Sequence, residues 1–110
     1  MKRTIIVIVA MLSATVAFAG PDNSKANWKA YCAMCHGSKG KGNTPAGRLF
    51  GVPNYHDPKV QASLTDEEAF KDIKNGIQRD GRMRMKSFAG ELTDQDIREI
   101  VQYIRSFKRR

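Results

Sequence analysis

Several features that would place this chain in a familiar class are scarce or missing. Only two of the 110 residues are cysteine, and both fall within one pentapeptide, so no long-range disulfide framework holds the fold. No stretch alternates polar and apolar residues convincingly enough to predict a strand. The uncharged run over residues 4–20 is 17 residues long, slightly short of the roughly 20 that span a bilayer comfortably. Acidic residues are outnumbered 19 to 11 by Lys and Arg, giving a net charge of +8.

What is present begins with the N-terminus. Lys2 and Arg3 form a short positive region, residues 5–18 are almost wholly apolar, and Ala17-Phe18-Ala19 has the small-x-small form of a signal-peptidase site. Residues 1–19 are therefore expected to be a cleaved signal peptide and residues 20–110 a single domain, periplasmic or otherwise secreted. The alternative is an uncleaved N-terminal anchor with the domain on the same, outer side. Without Lys2 and Arg3, 17 basic residues face 11 acidic ones, a balance of +6. Outside the cytoplasm such a charge does not meet nucleic acid. It suits acidic protein faces or anionic membrane surfaces, although solubility alone also accounts for it.

Along the domain, a helix is predicted over residues 26–34. Glycines at 37, 40, 42, 47 and 51, with Pro45, Pro53 and Pro58, then predict loop as far as residue 63, with at most one short turn at 46–50. Leu64-Thr65-Asp66-Glu67-Glu68-Ala69 reads as a helix start with a Thr65/Glu68 capping box, and Gly76 as its stop. Residues 77–90 read as a basic, Met-bearing loop. The start signal recurs at Thr93 and Asp96, and Ile97, Ile100, Val101, Ile104 and Phe107 follow at helical spacing. Arg98, Glu99, Gln102 and Arg105 are expected to face away. The fold class predicted is all-α, with three main helices and long loops. A mature chain of 91 residues buries only a modest core unaided, and loops of this length call for something to wrap around.

Cys32-Ala33-Met34-Cys35-His36 supplies it. CxxCH is the attachment signature of c-type haem: each thiol adds across one vinyl group, and the adjoining imidazole reaches the iron. A thioredoxin-like CxxC would follow a strand, and none is predicted before Cys32. A zinc site needs about four ligands, and beyond this motif only His56 offers one. His56 could also act as a second axial ligand, but its polar loop argues for exposure. For the sixth iron position the candidates are Met83 and Met85, whose thioethers would favour ferrous iron. Two residues apart in an extended loop, they point the same way, so alternation does not separate them.

The order of these parts resembles the class I cytochrome c family over residues 26–107. CxxCH closing the first helix, Met85-Lys86-Ser87-Phe88 in the loop before the last helix, and Tyr103-Ile104-Arg105 within that last helix carry the resemblance. It implies a cytochrome c fold around one covalently attached haem c, with His36 and Met85 as the metal ligands. It also implies a bond from the His36 imidazole to the Pro45 carbonyl and a crossing of Trp28 with Ile100 and Tyr103. The family usually has Pro after its methionine, where this chain has Lys86. The function so implied is a non-enzymatic, monomeric electron carrier. Its partners would be redox proteins with acidic docking faces, touching membrane redox complexes only transiently. Lys39, Lys41, Arg48, Arg82, Arg84 and Lys86 would steer them. A five-coordinate haem enzyme or gas-binding protein is the alternative.

Overall fold

The structure, a computed structural model, describes residues 2–13 and 22–108. The expected cleavage site at Ala19 lies outside the described residues. Residues 2–13 carry no regular structure, and no helix among the described residues is long and apolar enough to cross a membrane.

The domain opens with one uninterrupted helical rod that changes pitch twice. It runs as α1 (Ser24–Asn27), a π-helical turn (Trp28–Cys32) and α2 (Ala33–His36), longer at both ends than the 26–34 expected. Asp22 Oδ1 accepts the Ser24 N–H at 2.8 Å, which starts the rod. The π turn spends one extra residue per loop of backbone, a distortion that recurs at functional sites.

The stretch read as loop contains two more helices, α3 (Pro45–Phe50) and α4 (Pro58–Ser63). Of the three prolines taken as breakers, Pro53 stays in the loop between these helices, while Pro45 and Pro58 are their first residues. There the fixed φ and missing N–H cost nothing, and Thr44 and Asp57 cap the free amides of Gly47 and Lys59. The α5 helix (Asp66–Asn75) and α6 (Asp94–Ser106) begin at Thr65 and Thr93 as predicted. Of the box expected at Thr65 only the Glu68 N–H to Thr65 Oγ1 bond is made, at 3.1 Å, whereas the box at Thr93 closes in both directions, with Thr93 N to Asp96 Oδ2 at 3.0 Å and Asp96 N to Thr93 Oγ1 at 3.1 Å.

Nor is the fold purely helical. Strands β1 (Ile77–Arg79) and β2 (Arg82–Met85) form an antiparallel hairpin. Asp80 and Gly81 both take positive φ, 53° and 72°, the geometry of a tight turn whose twist matches the strands. Among the described residues the first rod, α3 to α6 and a hairpin thus stand where three helices and loops were expected.

The α6 stripe is the centre of the core. Ile97, Ile100, Val101, Ile104 and Phe107 are all buried, with Trp28 from the first rod and Ala69 and Ile73 from α5. Each such side chain contributes roughly 1.5–3 kcal/mol on burial. Arg105 departs from expectation. Instead of facing away it is half-buried, pairs with Asp66 at 2.8 Å, and donates to backbone carbonyls of Gln61 and Leu64. Its guanidinium fork finds those acceptors where α4 passes into α5.

Candidate haem-binding site

The pitch change in the first rod delivers the motif. Cys32 ends the π turn and is buried; Cys35 and His36 follow in α2, partly covered. Both cysteines are free thiols. Burial, and to a lesser degree the nearby Cys35, pushes the Cys32 thiol up to about 12. It is therefore a neutral thiol, unlike the low-pKa thiolates of thiol-redox motifs.

Backbone and side-chain bonds fix this turn from several sides. Trp28 Nε1 donates to the Gly37 carbonyl at 2.9 Å, and Gly42 N–H to the His36 carbonyl at 2.8 Å. Thr44 Oγ1 donates to the Cys35 carbonyl at 2.6 Å while accepting the Gly47 N–H at 2.8 Å, which clamps α3 onto the motif. The approach is so close that a Cβ on Gly47 would lie 2.5 Å from the Cys35 oxygen. Only glycine fits there.

The His36 imidazole lies parallel to the Tyr55 ring, at 5.6 Å and 13°, and tilts against Trp28 at 5.6 Å. Burial lowers its pKa to about 4, so the ring is neutral at ordinary pH. Its Nδ1 is buried with no hydrogen-bond partner. The bond expected to the Pro45 carbonyl is therefore not made. Pro45 stands in the first turn of α3, where a carbonyl is directed along the helix axis. Trp28 does meet Tyr103, at 5.7 Å, and Phe107, at 5.1 Å.

The two methionines are separated by a feature that alternation ignores. The hairpin pairs Ile77 with Met85 but Gln78 with Met83, so β2 carries one residue more than β1 between these pairs. A bulge of this kind re-aims the strand. Met83 is 63% exposed, whereas Met85 is partly buried against the core cluster. The segment after Met85 is fastened to the end of α5: Ser87 Oγ donates to the Lys74 carbonyl at 2.6 Å and Phe88 N–H to the Ile73 carbonyl at 3.0 Å. Phe88 in turn meets Tyr31, the neighbour of Cys32, at 6.0 Å. The Met85 segment and the thiol motif thus share one contact.

With this geometry in place, comparison with known proteins is decisive. The family described as cytochrome c oxidase, cbb3-type, subunit III matches residues 19–104. The chain belongs to this cytochrome family. Among solved structures, the cytochrome is similar to the Kustc0563 c-type cytochrome, with a TM-score of 0.70 and 27% identity over 77% of this chain and 96% of that one. A point mutant of Kustc0563 matches with a TM-score of 0.68 and 27% identity, over 78% and 99% of the two chains. No curated protein matches the cytochrome.

A small c-type cytochrome implies covalently bound haem c, and the residues present fit it. Two free thiols stand on one helix end beside a neutral imidazole whose buried nitrogen lacks a partner. α3, clamped to the Cys35 turn, ends in the apolar pair Leu49 and Phe50, which the protein leaves exposed at 74% and 40%. A porphyrin face needs such a lining. The zinc alternative does not fit: among the described residues no three His, Cys, Asp or Glu side chains cluster as a metal site. His56 is half-buried rather than exposed, and its Nε2 is bonded to the Lys39 carbonyl at 2.5 Å.

Proposed function

We propose that this cytochrome shuttles single electrons between redox proteins outside the cytoplasm, through one haem c held by His36 and Met85. Bound haem iron supplies a one-electron couple. The chain's part would be to hold it covalently at Cys32 and Cys35 and to offer its iron the His36 imidazole and the Met85 thioether. No place is then left for oxygen or peroxide, which argues for a carrier rather than an enzyme. Pro45 opens α3, which Thr44 clamps to the motif. The observation that carries this reading is the buried, neutral, unpartnered His36 imidazole beside two free thiols.

Met85 is preferred over Met83 because the bulge leaves it against the core and its segment is tied to α5. The proposed partners are proteins with acidic docking faces. Lys39, Lys41, Arg48, Arg82 and Arg84 form no ion pair among the described residues, whereas Lys86 is neutralised by Glu91 at 2.7 Å. Added salt should therefore slow association with such a partner.

The test is an optical spectrum of the purified protein in both oxidation states, with carbon monoxide added to the reduced form. The weak far-red band of thioether-ligated ferric haem, and no carbon monoxide complex, are expected. A strong carbon monoxide complex would favour a five-coordinate haem protein instead.

A further inference from the structure

The last turn of α5 is completed by another segment of the chain. A helix end leaves carbonyls that the helix itself does not use. Gly76 N–H takes only the one on Asp72, at 2.8 Å. The next two are satisfied by the stretch that follows Met85: Phe88 N–H donates to the Ile73 carbonyl at 3.0 Å, and Ser87 Oγ to the Lys74 carbonyl at 2.6 Å. Lys74 in turn pairs with Asp94 at the start of α6, at 3.0 Å, which ties this helix end to the core helix.

The same stretch lies directly against Gly76. That residue has φ +76°, and a Cβ built on it would stand 2.6 Å from the Met85 carbonyl oxygen and 2.8 Å from the Ser87 nitrogen. The missing side chain is what lets the two backbones meet. On the other side of Met85 there is no such hold, because the hairpin leaves Gln78, Arg79, Arg82 and Met83 exposed. The Lys86–Glu91 pair, at 2.7 Å, is solvent-facing and adds little. Met85 is therefore located from its C-terminal side, by the end of α5.

We propose that Ser87, seated on Gly76, is a positioning residue for Met85. Its hydroxyl bond to the end of α5 holds the loop in the arrangement that presents the thioether, and so sets how readily another ligand displaces that thioether. This rests on the reading of Met85 as the haem ligand. The Ser87 hydroxyl is occupied by the Lys74 carbonyl, so its effect passes through the backbone two residues back.

The test uses the haem-loaded protein, with covalent haem verified by mass spectrometry. The ferric form is titrated with free imidazole, which must displace the thioether, and loss of the far-red band is followed. Ser87→Ala should tighten imidazole binding by roughly two- to tenfold, the worth of one hydrogen bond. Ser87→Thr, which keeps the hydroxyl, should retain the wild-type affinity. Ser106→Ala removes a similar bond, Oγ to the Tyr103 carbonyl at 2.6 Å, from α6 and should change nothing. Gly76→Ala should weaken the band or abolish it; if it does not fold, the serine variants decide. Imidazole affinity in Ser87→Ala equal to the wild type, a change matched by Ser106→Ala, or a change as large in Ser87→Thr overturns the proposal. A wild-type far-red band that survives Met85→Ala would instead bring down the reading of Met85, and this inference with it.

Discussion

The two sides of the site are built differently. The thiol side is a knot: Thr44, Gly47, Gly42 and Trp28 all bond to or press on the carbonyls of Cys35, His36 and Gly37, and its rings are packed on one another. The methionine side is a projecting hairpin, mostly exposed, fastened to α5 by two bonds past Met85. One side is preorganised and intolerant, the other adjustable. Covalent attachment would need a fixed geometry, while the proposed Met85 ligand, on a short strand, would have room to adjust to the metal.

This contrast can be broken at its strongest point first. Replacing both cysteines, Cys32→Ala with Cys35→Ala, should leave little folded protein, a loss comparable to the whole net stability of about 5–15 kcal/mol for a domain. Circular dichroism would check it, and a stably folded apo form would contradict it. On the other side the effect should be functional. Met85→Ala should abolish the far-red band and lower the reduction potential with the helices intact, whereas Met83→Ala should leave both unchanged. The reverse pattern would reassign the ligand. Gly47→Ala should cost about 1–3 kcal/mol in urea denaturation, from forcing a methyl against two carbonyl oxygens. Thermal stability equal to the wild type would show that the knot yields.

The smallest effect belongs to Asp72, on α5. Burial chiefly, and Glu68 next, raise its carboxyl from its ordinary value, while Arg79 of the hairpin pulls it back. A carboxyl raised in the folded state contributes most below its ordinary pKa and loses that contribution as pH climbs through the raised value. The urea midpoint should therefore fall slightly across that window, and Asp72→Asn should remove the slope. An unaltered slope in the variant would detach Asp72 from the hairpin's electrostatics.

The motif itself, the caps at Thr65 and Thr93 and the apolar stripe of α6 were all readable, because each depends on residues close together in sequence. What was misread turned on context. A proline ends one helix and begins another, and only the capping partners Thr44 and Asp57 tell which. The Asp80-Gly81 pair is a recognised hairpin signal, but the flanking residues are too charged to alternate. Bulge position is set by pairing between strands, so no spacing rule separates Met83 from Met85. Arg105 looked solvated because its acceptors, on Gln61 and Leu64, are backbone carbonyls more than forty residues away.

The meeting of the first rod with α6 has a temporal consequence. Asn23 bonds to Glu99, 76 positions on, and Trp28 packs on Tyr103 and Phe107. An emerging polypeptide cannot seal this junction until its final helix is made, and closing so long a span is slow. Until then Trp28 lacks its aromatic partners Tyr103 and Phe107. The first rod thus waits for the last helix before its indole is covered.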